Sequence, residues 1–204
     1  MRDIYVYDGT DVLINKFDER NGDELLKIEA NYTSAALAEL TENPIKGDFD
    51  EYHLQMIHKK IFCDLFDWAG EFRKINIEKP EVPLNGLSVQ YSDVFDIRKD
   101  LNAIFIRMHN ENWNVNKTQN VDLFCKYLAD TWRVHPFREG NTRTTMYFYY
   151  EYMDSLGIRL DTELLSKNAE YVRTALVAAT FEMDGVCKRN MQYLKNIVKD
   201  AMDY

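Results

Sequence analysis

Trp132-Arg133-Val134-His135-Pro136-Phe137-Arg138-Glu139-Gly140-Asn141-Thr142-Arg143-Thr144-Thr145-Met146 lies between two apolar patterns of helical period. Upstream, Val121, Phe124, Cys125, Leu128 and Trp132 form one stripe; downstream, Tyr147, Phe148, Tyr149, Tyr150 and Tyr152 open another, ended by Gly157. Pro136 forbids a continuous helix through this point, and Gly140 permits backbone angles closed to other residues. Residues 135–141 therefore read as a loop that feeds a helix starting near Thr142. Helix, loop, helix is the organising unit, and it sets the expectation of an all-α domain.

Working outward, the helical reading persists. A helix follows Asp23 through Leu25, Leu26, Ile28 and Ala35–Leu40 until Asn43-Pro44 and Gly47 stop it. Asp48 or Asp50 can cap a second helix carrying Leu54, Ile57, Ile61 and Leu65, with Gly70 as terminator. Asp93 is expected to cap a third, striped by Val94, Ile97, Leu101, Ile104, Phe105 and Met108. The polar run Asn110–Gln119 breaks it. Two more helices are predicted over residues 162–181 and 189–202, and the aromatic run Tyr147–Tyr152 reads as a buried core helix. Residues 1–22 read as an irregular arm, 23–186 as the main domain, and 187–204 as a C-terminal helix packed on it.

The exception is Glu71–Val89. Phe72, Lys74, Asn76 and Glu78 alternate with Arg73, Ile75 and Ile77; Pro80, Pro83 and Asn85-Gly86 follow. Alternation with such punctuation suggests a β-hairpin of two short strands, or else an ordered loop.

Composition limits the partners. The 204 residues are 46% hydrophobic and 13% aromatic, enough to bury a core, and the net charge of −9 argues against nucleic acid. Cys63, Cys125 and Cys187 are widely spaced, without a C-x-x-C pair, as expected of reduced buried thiols. The N-terminus lacks a charged-then-apolar signal and no apolar run reaches membrane-spanning length, so the expectation is a soluble cytoplasmic protein with no membrane partner.

The central loop carries the chemistry. Gly-Asn-Thr at a helix start offers unpaired N–H groups and the positive end of the helix dipole, a setting suited to phosphate, which Arg143 can reinforce. His135 is the natural general base. Glu139 is a hard oxygen ligand fit to hold Mg²⁺ against phosphates. A zinc pair is disfavoured, since Pro136 breaks the helix that His135 and Glu139 would need and no third ligand is evident. Base, magnesium ligand, phosphate nest and cation together imply phosphoryl or nucleotidyl transfer to a hydroxyl. A purely structural helix–helix turn would not need so many specified residues.

The stretch His135-Pro136-Phe137-Arg138-Glu139-Gly140-Asn141-Thr142-Arg143 resembles the signature loop of the Fic (Fido) family, His-Pro-Phe-x-Asp/Glu-Gly-Asn-Gly-Arg-x-x-Arg. Pro44–Asp50, His53-Leu54, Ile57-His58 and Phe66–Arg73 are similar to that family's first core helix and the start of its flap, so the resemblance spans about Leu25 to Gly185. It implies an all-α core with a β-hairpin flap that docks a target segment, and transfer of AMP from ATP to a Tyr, Ser or Thr hydroxyl of a protein with Mg²⁺. On this resemblance His135 is the base, Phe137 anchors the loop, Glu139 binds magnesium, and Gly140, Asn141, Thr142 and Arg143 hold phosphates. Ile75, Asn76, Ile77, Glu78 and Lys79 would form the docking flap.

Two departures stand out. The family's second glycine is Thr142, and its second arginine is Met146, which carries no charge. The family's inhibitory Ser/Thr-x-x-x-Glu motif has only a weakened counterpart in Thr180, Asp184 and Gly185, read as a candidate self-inhibitory helix. A small antitoxin, as in a toxin–antitoxin pair, and a homo-oligomer are the further partners the resemblance suggests.

Overall fold

The computed structural model describes residues 3–113, 115–184 and 186–202. Eight helices occur among these residues: α1 (Gly22–Glu42), α2 (Glu51–Phe62), α3 (Ile97–His109), α4 (Lys117–Val134), α5 (Asn141–Ser155), α6 (Thr162–Lys167), α7 (Ala169–Thr180) and α8 (Gln192–Met202). Their starts are written in the sequence. Asn21, Asp50, Asn116 and Asp161 each accept a hydrogen bond from a first-turn amide of α1, α2, α4 and α6, offsetting donors that a helix start leaves unpaired.

Helix α4 is buried on nearly every side. Phe124, Cys125, Tyr127, Leu128, Thr131 and Trp132 are all inaccessible, and α3, α5, α7 and α8 pack around it. From Val121 onward only the edge around Asp122, Lys126, Asp130 and Arg133 reaches solvent, and the wide apolar remainder belongs at the centre of a bundle. Helix α2 joins the assembly by packing on α5, and α1 covers α2. The aromatic run of α5 does enter the core: Phe148 and Tyr149 are fully buried, with the Tyr149 hydroxyl bonded to the Tyr127 carbonyl at 2.9 Å. The site thus hangs between the two most deeply packed helices.

Several expectations need correction. The Glu71–Val89 segment is extended, but it forms no strand ladder. Among the described residues the only bridges are Val6 with Leu13 and Met183 with Cys187. The period-two burial is present, with Arg73 and Ile75 buried between less buried neighbours. What fails is the pairing. Pro80 and Pro83 remove amide donors, a short 3-10 turn (Val82–Leu84) intervenes, and Lys79 donates its amide to the Ser88 hydroxyl (3.0 Å) rather than to a main-chain carbonyl. Among the described residues the backbone pairs across only at Glu81, whose amide donates to the Leu87 carbonyl (3.0 Å) and whose carbonyl accepts from the Gly86 amide (3.1 Å).

The helix expected over 162–181 breaks at Asn168, whose side-chain amide donates to the Leu164 carbonyl (2.8 Å) and competes with the ladder. Helix α3 starts at Ile97 because Asp93 uses its carboxylate locally, on the Phe95 amide. Of the cysteines, Cys125 alone is buried; Cys63 is half-buried and Cys187 exposed, and all three are free. The irregular arm is anchored rather than loose: the Tyr5 hydroxyl accepts from the Lys74 amide (2.9 Å) and Asp3 pairs with Arg138 (2.7 Å). No helix among the described residues is long and apolar enough to cross a membrane.

Candidate active site

Helix α4 ends in an abrupt reversal. His135 takes the left-handed conformation (φ 51°, ψ 58°) and its amide closes onto the Trp132 carbonyl. A β-branched or bulky residue there would be strained, and such backbone is characteristic of functional turns. Arg73, buried at the base of the flap, then fixes the exit: its amide donates to the Pro136 carbonyl (2.8 Å) and its Nε to the His135 carbonyl (2.9 Å). The same guanidinium reaches the Ile75 and Ser92 carbonyls.

The loop closes on itself through Asn141. Its Oδ1 accepts from the Phe137 amide (2.9 Å) and its Nδ2 donates to the Phe137 carbonyl (2.8 Å). The Phe137 ring is fully buried and stacks on His58 at 3.8 Å between centroids. His58 in turn receives the Gly70 amide on Nδ1 and contacts the Glu139 carbonyl through Nε2 (3.1 Å). Those partners put its proton on Nε2. Burial is the main cause that pushes this imidazole down to about 3, so it is a neutral strut.

Gly140 begins α5 with φ +78°, and a Cβ built there would sit 2.2 Å from the Phe62 ring. The glycine is required twice, for its backbone angle and for space. Asn141, Thr142 and Arg143 follow as the first turn, where helix geometry leaves amides without intrahelical carbonyls. Thr142 lies in the helix and so needs no positive φ; its hydroxyl accepts from the Trp132 indole N–H (2.9 Å), tying α5 back to α4. The substitution of the family's glycine costs nothing in backbone strain.

His135 faces this helix start. Its Nδ1 lies 3.3 Å from the Trp132 carbonyl, and its buried Nε2 has no hydrogen-bond partner among the described residues. The ring is sandwiched against Tyr91 at 4.0 Å and meets Trp132 edge-on. Burial, then the nearby Lys79 charge, push its pKa well below the ordinary histidine value, while Glu139 opposes them. The result is a neutral imidazole with an available lone pair, the form a general base needs.

Glu139 is half-buried. Its Oε1 accepts from the Gly140 amide (3.0 Å) and its Oε2 from the Lys79 ammonium (2.7 Å). Burial raises the carboxyl's pKa, but Lys79 and the Gly140 amide outweigh it and hold the group ionised, at about 2. Among the described residues no group of three His, Cys, Asp or Glu side chains could cage a metal alone. One ionised carboxylate completed by phosphate oxygens and water is an ordinary way to hold Mg²⁺, so these residues fit that ion.

Arg143 points to α1. Its Nη1 donates to the Thr33 hydroxyl (2.9 Å) and its Nη2 pairs with buried Glu29. The sequence reading missed Glu29, Thr33 and Tyr91. The first two had a signal: Leu25, Glu29 and Thr33 recur every four residues, a carboxylate on an apolar stripe. Met146 is buried in the core at 8% exposure. Asn141 was expected on phosphate; its side chain is committed to Phe137, leaving its backbone amide for that task. The candidate inhibitory segment is not one helix: α7 ends at Thr180, whose hydroxyl bonds the Leu176 carbonyl (2.7 Å), and Asp184 is exposed beyond the helix end. Gly185 lies outside the described residues.

Residues 48–153 match a model described as the Fic/DOC family. Among curated proteins, the chain is 26% identical over 170 residues to "Probable protein adenylyltransferase Fic" of Escherichia coli, covering 82% of this chain and 80% of that protein. It is 29% identical over 169 residues to "Probable protein adenylyltransferase y4lH" of Sinorhizobium fredii, covering 81% and 82% respectively. Among solved structures, BepC, a VirB-translocated effector protein of Bartonella tribocorum crystallised with AMPPNP, superposes with a TM-score of 0.79 at 21% identity, covering 97% of this chain and 95% of that one. At that identity the superposition speaks for the fold alone.

Proposed function

The chain belongs to the Fic/DOC family, and from that premise we propose that it is a protein adenylyltransferase, moving AMP from ATP to a Tyr, Ser or Thr hydroxyl of another protein. The observation that carries this reading is the buried, unpartnered Nε2 of a neutral His135 beside ionised Glu139 and the open first turn of α5. His135 takes the proton of the target hydroxyl, whose oxygen attacks the α-phosphorus. The bond from the α-phosphorus to the bridging oxygen breaks, and pyrophosphate leaves. Glu139 would hold Mg²⁺, which when bound supplies charge neutralisation to the phosphate chain. The amides of Asn141, Thr142 and Arg143 hold phosphate oxygens, the Arg143 side chain joins them by exchanging its bonds to Glu29 and Thr33, and the fully buried Phe137 keeps the loop in register. Between the Ile75 carbonyl, held by Arg73, and the Lys79 amide, held by Ser88, the extended edge at residues 76–78 offers backbone groups to the target segment, in the manner of strand addition.

A second reading has one observation in its favour. The position of the family's second arginine is Met146, buried and uncharged, so no cation stands there to orient a terminal phosphate. A transferase moving another phosphate-containing group keeps the same base and the same nest. Control by a separate small antitoxin fits this geometry better than control by Thr180 and Asp184, because those two residues do not share a helix.

One experiment separates the readings. The protein and its His135→Ala variant are incubated with a lysate, Mg²⁺ and ATP labelled at either the α- or the γ-phosphate. Protein label from the α position, lost in the variant by at least ~100-fold, is the expected result for a general base. Label from the γ position alone would replace adenylyl transfer by phosphotransfer.

A further inference from the structure

The Lys79–Glu139 ion pair spans two parts of the molecule that have no reason to be charged toward one another unless the site uses both. Lys79 lies on the extended flap and Glu139 in the signature loop, 60 residues later, yet Nζ and Oε2 are 2.7 Å apart with side-chain exposures of only 18% and 31%. The other carboxylate oxygen is already taken by the Gly140 amide. Oε2 is the oxygen free of any backbone bond and so the better placed for an incoming cation, and an ammonium occupies it.

On either side of Lys79 the flap is tied to its surroundings through side chains. Asn76 donates to Asp93 (2.8 Å) and accepts from the Val94 amide (2.8 Å). The Glu81 carboxylate accepts from Arg173 on α7 at 2.9 and 3.0 Å and from the Tyr91 hydroxyl at 3.5 Å. The Lys79 amide is itself held by Ser88. The group that can move without breaking those ties is the four-carbon Lys79 side chain, which is flexible and carries a compact point charge.

We infer that Lys79 is a resident counter-ion for Glu139, which a divalent cation arriving with nucleotide must displace. Two cations cannot share one carboxylate oxygen at contact distance without strong repulsion. Before loading, Lys79 keeps a half-buried carboxylate paired, a state that would otherwise be costly. After loading, the released ammonium stays tethered within the site, beside phosphate oxygens that can accept it. The flap thereby senses whether Glu139 holds its metal. This inference rests on the reading of Glu139 as the metal ligand.

The test uses Mn²⁺ alone as the probe, titrated into the full chain without nucleotide and followed by water-proton relaxation. Lys79→Met is expected to bind Mn²⁺ at least about tenfold tighter than the unmodified protein, since a competing charge has been removed. Lys79→Gln, which keeps a hydrogen-bond donor, covers the case in which the methionine variant folds poorly, and is expected to tighten binding in the same direction. Equal or weaker Mn²⁺ binding in both variants, or no measurable binding in any, overturns the inference. Adding Glu139→Gln to Lys79→Met should abolish the gain; if the gain survives, the ion sits elsewhere and the role of Glu139 as ligand falls instead.

Discussion

The loop from His135 to Gly140 and the flap from Ile75 to Val89 are both irregular chain, held by opposite means. In the loop, the carbonyls of His135, Pro136, Phe137 and Glu139 all have partners, supplied by Arg73, Asn141 and His58. Those partners are buried, so each missing one would leave a desolvated polar group, at about 1–3 kcal/mol apiece. In the flap, two backbone bonds at Glu81 and one serine hydroxyl connect the two arms, and Val82 at the turn is 90% exposed. The loop is over-determined and the flap under-determined. A reacting base and a metal ligand need fixed positions, whereas a segment that must accept a target chain needs free edges.

The same substitution made in each region tests the contrast most strongly. Gly140 and Gly86 both have positive φ, +78° and +87°, but a Cβ on Gly140 would meet Phe62 at 2.2 Å while none lies within 4 Å at Gly86. Gly140→Ala should cost about 3–5 kcal/mol, from backbone strain plus overpacking. Gly86→Ala should cost only about 1–2 kcal/mol, from the backbone alone. Urea denaturation of both variants measures the difference, and equal losses would mean that the loop is no tighter than the flap.

Acid should also discriminate between the regions. His58 is held neutral in the folded loop, its pKa lowered from 6.5 to about 3 by burial, and His135 shifts in the same direction. Above pH 6.5 both states carry a neutral imidazole and no linkage arises. Below it the unfolded chain binds a proton that the folded chain refuses, so stability falls by about 1.4 kcal/mol per pH unit for each such group. Between about pH 6.5 and pH 4.5 most carboxylates stay ionised, so the slope there belongs to histidines. Residues 71–91 contain none. The expected outcome is a urea midpoint that drops across this window and a smaller drop in His58→Asn; a flat profile in the unmodified protein would refute the strut.

This contrast also governs what could be read from residues alone. The Asp50 cap obeys a local rule and the apolar stripes of α2, α3 and α4 are periodic, so these were legible. The caps at Asn21 and Asn116 lie among other polar residues that could serve as well and were not read. Pro136, Gly140 and the intervening polar residues announced the loop because each has a restrictive physical role. The flap misled because period two reports one buried face, which an extended chain shows whether or not a partner strand exists. The pairing of Arg143 with Glu29 was hidden by its separation of 114 residues, and Glu29 follows Leu25 rather than a Ser or Thr four residues earlier, so the inhibitory spacing does not single it out. The tie between Lys79 and Glu139 was invisible for the same reason: sequence shows charge, but only packing shows which charges meet.

The smallest expected effect is also the one that shows whether the two regions communicate. Ser88 Oγ accepts the Lys79 amide at 3.0 Å and donates to the Val89 carbonyl at 2.9 Å. Removing the hydroxyl in Ser88→Ala should cost about 1 kcal/mol or less, because the site is only half-buried and water can replace the bond. Hydrogen exchange should accelerate at the amides of residues 79–89 and remain unchanged at Phe137, whose amide is locked by Asn141. If the Phe137 amide loosened as well, the Lys79–Glu139 pair would be holding the loop in place. The ammonium would then be a structural tie, and the rigidity of the signature loop would depend on the flap it faces.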